Sequence, residues 1–491
     1  MGQKTLKVIL AAVLTLPVVF SFPVDSVAGT IESIQAKIAQ FLKRPGARSA
    51  DWGIEILDPS TNKVLIEVNA DKTFKPASVL KVVTTATALE KLGPDFRFHT
   101  TVYSTAGVAD GIVAGDLILV GHGDPNLTDP YAELLEPPAL QELAEKLQAM
   151  NIKKVTGHII GDDSYFDDVP YGRGWTAQDL KTTYGAPVNA LSINNNVFAV
   201  VVRPGKRNGL VSVSVEPPTS YFRIRNVGIT GGTKAKRTIY ARLIPGTRTI
   251  AVSGVLPASE IHAQHILLEK PAEVTATMFK EELQKHGISV AGHVLVTHHG
   301  DVSPEERRNW KPLVDHESVP LVRAMEIINK HSQNLHAEML LRTLGAEFKG
   351  TGTDEAGLQV VNDFLVGAGV EIDKIQLNDG CGLSRDNLVT PRFQTSLLQF
   401  LSTRPYFDLF LNTLAVSGTD GTLRHRLASP QVRGTIHAKT GTLAGVTNLS
   451  GYMTTKSGRN LIFCIFTNNA SAAWRVKSTI DEICSLFIKL Y

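Results

Sequence analysis

"KPASVLKVVTTATALEKLG" (Lys75–Gly93) is the stretch on which the reading of the chain turns. It is apolar on most sides, which predicts a buried helix, and Gly93-Pro94 closes it. Ser78 and Lys81 stand three residues apart near its start. A second serine–lysine pair with the same spacing, Ser60 and Lys63, lies in "LDPSTNKVLIEV" (Leu57–Val68). A hydroxyl is a weak nucleophile and needs a base beside it. On a helix, positions three apart share a face, so Lys81 can reach Ser78. Burial disfavours the ammonium form and makes Lys81 a better base. The helix start adds free N–H groups and partial positive charge, which suit an oxyanion. Ser60 has none of this: Asp58-Pro59 before it and the flanking strand patterns "DWGIEILD" and "KVLIEVNA" predict a solvated hairpin turn. The spacing alone is weak evidence, since a chain this long should hold about one or two copies by chance. On that motif alone, Ser78 reads as an ordinary helix cap.

Two distant motifs change the balance. Ser332-Gln333-Asn334, in "HSQNLHAE", falls between two predicted helices, and Lys439-Thr440-Gly441-Thr442, in "HAKTGTL", falls on a predicted strand. S-x-N is common and K-T-G less so. The ordered set S-x-x-K, S-x-N, K-T-G is specific for the serine chemistry of penicillin-binding proteins and class A β-lactamases.

The rest of the chain narrows the class. It has 491 residues, 43% hydrophobic and 20% charged, with a net charge of +3. That length predicts two to four domains. No basic run is dense enough to follow phosphates, so no nucleic-acid partner is expected. At the N-terminus, Lys4 and Lys7 precede "VILAAVLTLPVVFSF" and then "SVAG". This is the order of a secretory signal over residues 1–28, cut after Ala28. The apolar run is short and contains Pro17, which argues against a permanent span. The alternative is an uncleaved anchor. The expected location is therefore outside the cytoplasm, in the periplasm or cell-wall space, where peripheral contact with a membrane would also be compatible. Cys381, Cys464 and Cys484 are too few for a disulfide framework, and no cysteine–histidine cluster predicts a metal, so no cofactor is expected.

The chain resembles the D-alanyl-D-alanine carboxypeptidase/endopeptidases with large inserted domains, the class C low-molecular-mass penicillin-binding proteins. Besides the triplet, the likeness rests on "GHGDPNLT" (from Gly121), "GDDSYFDD" (from Gly161) and "YGAPVNALSINNN" (from Tyr184). It rests also on "NDGCGLSRDNLVTP" (from Asn378), "SGTDGTLRHR" (from Ser417) and the long gap between Lys81 and Ser332. The resemblance implies an α+β fold: a transpeptidase-like domain, an antiparallel sheet flanked by helices, with two nested inserted domains. The expected limits are 29–97 and 300–491 for the catalytic domain, 98–185 and 262–299 for an α/β insertion, and 186–261 for a mostly β insertion.

It also implies roles. Ser78 attacks the carbonyl between two D-amino acids of a peptidoglycan stem peptide, and Lys81 takes its proton. Ser332, with Lys439, relays the proton to the leaving amine, and Asn334 holds Lys81 and the substrate backbone. The backbone N–H groups of Ser78 and Thr442 form the oxyanion hole. Lys439, Thr440, Gly441 and Thr442 recognise the terminal carboxylate or its surroundings. β-Lactams would acylate Ser78 as covalent inhibitors. For a pocket around the stem-peptide side chain, position suggests Asp162 (or Asp163), Phe166 and Arg385; a capping role for Asp162 and an internal ion pair for Arg385 are the bland alternatives. Three departures stand out: Gln333 where Asp is common, Cys381 where Ser is common, and Ala444 where some members carry a polar side chain. His122, His336 and His437 flank motifs, but the serine–lysine scheme needs no histidine. The rival readings are a serine β-lactamase, a related D-aminopeptidase or esterase, and a wall-binding scaffold.

Overall fold

The computed structural model describes residues 24–125, 127 and 138–491. Most of the expected signal segment, residues 1–23, lies outside the described residues, and Val24–Leu42 is helical. Among the described residues, no helix is long and apolar enough to cross a membrane.

The segment "NLIFCIFTN" explains the central architecture. Successive side chains of a strand point to opposite faces. As the strand Asn460–Asn468, it sends Leu461, Phe463 and Ile465 to one face and Ile462, Cys464 and Phe466 to the other. Both sets are fully buried, so this strand must be covered on both sides. It lies inside a six-stranded antiparallel sheet with the order Lys63–Val68, Asp51–Asp58, Asn460–Asn468, Val446–Thr454, Ile436–Leu443, Ala415–Val416. The C-terminal helix Ala473–Leu490 covers one face, with Ile480, Ile483 and Phe487 against the sheet and the helix Val24–Leu42 beside it. The helices of the catalytic centre cover the other. There Lys81–Leu92 packs against Leu321–Lys330, Asn334–Lys349 and Asp354–Gly367, which is why so few of its positions are polar and exposed. Ser60 lies in the turn between the first two strands, its Oγ and N–H donating to Asp58 Oδ1 at 2.6 and 2.9 Å.

The chain leaves this domain and returns to it at one place. Ser318 N–H donates to Phe98 O at 2.9 Å, and Ser318 Oγ accepts from Phe98 N–H at 2.9 Å. Between these residues lie a five-stranded sheet, a smaller four-stranded one and three small β sheets around a shared apolar core. Strand pairing crosses two of the expected limits. Lys311–Glu317 pairs with His99–Ser104 inside the five-stranded sheet, past residue 299. His262–Leu267 pairs with Val197–Arg203 of the β-rich part, past residue 261. Both are charged or polar edge strands with mostly exposed or half-buried residues, so neither carries the apolar alternation that marks a strand in a sequence.

Phe463 is wholly buried at the centre of the main sheet. Phe463→Ala should cost about 3–5 kcal/mol, seen as a lowered urea midpoint for the unfolding transition of the catalytic domain.

Candidate active site

Ser78 lies on a short 3₁₀ turn, Ala77–Leu80, that runs directly into the helix starting at Lys81. The turn is held from three directions. Asn448, on the strand Val446–Thr454, donates its Nδ2 protons to Lys75 O and Pro76 O, both at 2.9 Å. On the neighbouring strand, a Cβ on Gly441 would lie 2.6 Å from Pro76 O. A Cβ on Gly382 would lie 1.9 Å from Ala77 O, and Gly382 has φ +84°. The glycine of K-T-G is therefore a contact requirement: the strand must touch the Ser78 turn. Ala77 adopts φ +49° and Ser332 φ +61°. Two non-glycine residues in the left-handed region beside one site are backbone strain that the surrounding contacts sustain.

Lys81 is completely buried. Its Nζ lies 3.0 Å from Ser78 Oγ, 2.6 Å from Asn334 Oδ1 and 2.7 Å from Cys381 O. A neutral amine has two N–H donors and one lone pair. The two carbonyl oxygens accept both protons, which leaves the lone pair for the Ser78 hydroxyl. Burial lowers the Lys81 pKa, opposed by charge at Cys381, Asp379 and Glu338. Asn334 Nδ2 donates to Tyr184 O at 2.8 Å, which fixes the amide so that its oxygen faces Lys81. Lys439 is also completely buried and donates to Ser332 Oγ at 2.8 Å and Thr440 O at 3.1 Å. Burial, then the nearby Lys81, holds its pKa well below the ordinary lysine value. Two amines in one dry site do not both stay charged. The structure therefore gathers Ser78 and Asn334 on Lys81, and Ser332 on Lys439. Thr440 Oγ1 donates to Thr422 Oγ1 at 2.9 Å, and Thr442 is exposed at the strand end.

The loop "NDGCGLS" carries the second acceptor of Lys81, Cys381 O, and two buried carboxyls shape it. Asp379 accepts from the N–H groups of Gly382 (2.9 Å) and Ser384 (2.6 Å), from Asn387 Nδ2 (2.7 Å) and from Trp175 Nε1 (3.0 Å). Glu338, on the helix that begins at Asn334, accepts from Gly380 N–H (3.0 Å) and Cys381 N–H (2.7 Å). Burial, with Asp379 and Asp354 nearby, pushes the Glu338 carboxyl up to about 8. Glu338, Asp379 and Cys381 bring ligating atoms within 4.8 Å of one another, as do Asp163, Asp168 and His298 and His99, Asp315 and Glu317. In the buried trio both carboxylates are committed to backbone N–H groups, so the arrangement is that of a loop clamp. Burial pushes the Cys381 thiol well above its usual pKa, which disfavours the thiolate.

The expected side-chain pocket is corrected. Phe166 is buried among Val188, Ala190, Leu335 and Met339, and forms core. Asp162 is fully buried, pairs with Arg307 at 2.9 Å and accepts from Ser164 N–H and Oγ. Asp163 bonds Asn189 Nδ2 at 2.6 Å and His298 Nδ1 at 2.9 Å. Arg385 instead grips Asp179, with Nη1 and Nη2 at 2.5 and 3.0 Å from its two oxygens. Tyr184, half exposed, follows five residues later, where its carbonyl meets Asn334. Arg385 is thus paired with Asp179, and neither Asp162 nor Phe166 is its partner. Asp179 in "AQDLKTTYG" carries no local signal of its own; only its partner Arg385 identifies it. His336 is buried with Nε2 2.6 Å from Asn195 Oδ1, and burial pushes its pKa down to about 3. His122 stacks edge-on to Tyr165, and His437 Nδ1 lies 3.3 Å from Leu411 O.

Comparison with known proteins adds to this geometry. The D-Ala-D-Ala carboxypeptidase 3 (S13) family profile matches residues 34–486. The chain is 32% identical to a D-alanyl-D-alanine carboxypeptidase of Actinomadura sp. (strain R39), over 91% of this chain and 83% of that one. It is 28% identical to the D-alanyl-D-alanine carboxypeptidase DacB of Haemophilus influenzae, over 84% of each. Crystal structures of penicillin binding protein 4 from Haemophilus influenzae superpose with a TM-score of 0.78 at 25% identity, covering 92% of this chain and 99% of that one. In complex with a β-lactam, the same protein gives 0.73 at 24% identity, with the same coverage.

Two tests follow from the geometry. Gly382→Ala should displace the Ser78 turn and lower the rate of acylation by a penicillin by about 10²-fold, measured by stopped-flow labelling. Glu338 holds its proton more tightly when folded than the usual value of 4.5, so the folded state loses stability as pH rises between about 4.5 and about 8. Glu338→Gln should flatten that dependence, with melting temperature against pH as the readout.

Proposed function

The chain belongs to the D-Ala-D-Ala carboxypeptidase 3 (S13) family, and from that premise we propose how its residues divide the reaction. It is a serine-type D,D-peptidase of the penicillin-binding protein class, acting on the D-alanyl-D-alanine ends or bridges of peptidoglycan stem peptides. Ser78 Oγ attacks the carbonyl carbon as its proton passes to the Lys81 lone pair. The carbonyl oxygen takes the negative charge, met by the N–H groups of Ser78 and Thr442. When the C–N bond breaks, the leaving nitrogen takes a proton from Ser332 Oγ. Ser332 is reprotonated by the proton that Lys81 accepted, so one proton is relayed from Ser78 to the leaving amine. Lys439 assists that transfer from 2.8 Å. The ester on Ser78 is then hydrolysed by water, releasing the carboxylate and restoring the serine. A β-lactam follows the first half of this course, and its ring amide opens onto Ser78.

The observation that carries the reading is the Lys81 amine between Ser78 Oγ, Asn334 Oδ1 and Cys381 O. It is a base with its protons already accepted elsewhere and its lone pair on the hydroxyl. Thr440 and Thr442 line the approach to the substrate carboxylate. For the stem-peptide side chain, we read the acid as Asp179, paired with Arg385: an acid and a guanidinium suit a side chain that ends in both an amine and a carboxylate. Peptidoglycan as substrate and the charge pattern of the first 28 residues together support a location in the periplasm or cell-wall space. A β-lactamase would share the acylation but release the bound drug rapidly; a scaffold would not retain both lysine–serine pairs.

Incubation with a fluorescent penicillin should label the peptide containing Ser78, and Ser78→Ala should carry no label. Lys81→Ala should slow labelling by about 10²–10⁴-fold. Since burial lowers the Lys81 pKa, the neutral base persists to lower pH than a free lysine would allow. Labelling should remain efficient at neutral pH and fall as acid protonates Lys81. A label at another residue, or turnover of the penicillin within seconds, overturns the assignment.

A further inference from the structure

The β-rich insertion is charged unlike the rest of the chain. Residues 186–261 hold ten lysines and arginines against two glutamates, a net charge of +8, while the whole chain carries only +3. The remainder of the molecule is therefore net negative. Both glutamates are already paired, Glu216 with Arg203 at 3.3 Å and Glu260 with Arg237 at 3.4 Å. Arg248 reaches outside the segment to Glu273.

Strand pairing gathers three of the other arginines, which form no basic run in the sequence. The strand Thr249–Ser253 lies between Arg223–Asn226 and Tyr240–Leu243. Ile250, Val252 and Ala241 belong to the core, so the alternate residues face outward. On that outer face Arg225 and Arg242 pair with Ala251 from its two sides, and Arg223 pairs with Thr249. All three arginines are exposed. Among the described residues, none of the three enters an ion pair or a side-chain hydrogen bond. Thr249, Ala251 and Ser253 are short, so the guanidinium groups stand along a shallow floor. Arg223 and Arg225 are two residues apart on one strand, about 7 Å, and Arg225 and Arg242 are two strands apart, about 10 Å. Three cations on one face with no acid among them repel one another, and a bound polyanion relieves that repulsion.

We propose that this face binds a linear phosphodiester polymer of the cell envelope and so holds the enzyme on its insoluble substrate. A guanidinium fork takes two phosphate oxygens at once, and repeated phosphates along a chain match repeated arginines along a sheet. The face suits a polymer better than a bilayer. Among its paired residues no Leu, Ile, Val or Phe points outward to enter lipid, and Tyr240, opposite Ser253, is its one large uncharged side chain. The inference goes beyond the hydrolytic reaction and uses none of its residues. The location proposed above places such a polymer within reach.

The test measures binding of the full-length protein to a synthetic poly(glycerol phosphate) chain by fluorescence anisotropy over a series of salt concentrations. On a single-stranded polyanion, each neutralised phosphate adds about 0.7 to the slope of log affinity against log salt. The triple variant Arg223→Gln, Arg225→Gln, Arg242→Gln should bind about tenfold or more weakly, with that slope reduced by about 2. A control triple, Lys206→Gln, Arg207→Gln, Lys234→Gln, removes the same charge from exposed positions outside the three-stranded sheet and should stay within about twofold of the wild-type protein. Both triples should keep the wild-type melting temperature and release D-alanine from a soluble pentapeptide within about twofold of the wild-type rate. A second arm replaces the polymer with vesicles of phosphatidylglycerol and phosphatidylcholine. No polymer binding by the wild-type protein, unchanged binding in the arginine triple, equal losses in both triples, or binding to the vesicles in place of the polymer overturns the inference. A penicillin that fails to label Ser78 overturns the catalytic reading alone and leaves the polymer result standing.

Discussion

A primary amine taken wholly out of water needs every proton accepted and its lone pair used, and Lys81 meets that demand only through groups brought from far along the chain. Its acceptors are Asn334 Oδ1, 253 residues away, and Cys381 O, 300 residues away. Each acceptor is itself held, Asn334 by Tyr184 O and the Cys381 peptide by the Glu338 carboxyl. The buried polar network is thus complete around the amine. A half-satisfied network there would cost more than an apolar core. The helix, the loop and the helix junction have to arrive together, and their mutual fit explains the density of glycine and asparagine around the site. Gly382 and Gly441 permit backbone contact with the Ser78 turn; Asn334 and Asn448 tie main chain and amine together.

Much of this was legible in the residues. The three motifs stand in distinct settings, a helix start, a helix junction and a strand, and the sheet and helices are readable from periodicity. The antiparallel α+β architecture and the serine–lysine pairs are therefore accessible without coordinates. Ser60 likewise declares itself through Asp58-Pro59. What the residues hide is pairing between segments with no local signature. Asp379 and Glu338 read as ordinary acids in a loop and on a helix; their role exists only because the loop packs on the helix. Asn448, a buried amide in a strand whose other polar residues are hydroxyl-bearing, is a hint that this strand touches something polar.

The side-chain pocket shows the limit most clearly. "GDDSYF" offers an acid and an aromatic in succession, and position alone favoured Asp162 and Phe166. The fold sends Phe166 into an apolar cluster with Met339 and binds Asp162 to Arg307. An acid is identified by its partner, and Arg385 chose Asp179. The edge strands Lys311–Glu317 and His262–Leu267 were obscured for a related reason, since exposed strands carry their pairing information in the backbone and little of it in their side chains.

The sheet has a consequence for how the molecule comes into being. Asp51–Asp58, near the start of the chain, is hydrogen-bonded along its length to Asn460–Asn468 near the end, and the backbone just before Ser78 is held by Asn448 from 373 residues away. Such distant pairings form late and slowly. The inserted region, closed on itself at Phe98 and Ser318, can fold while its host is still two separate pieces. The Ser78 turn therefore stays unassembled until the last strands emerge, and a chain caught part-way through synthesis is a hydrolase without a working site.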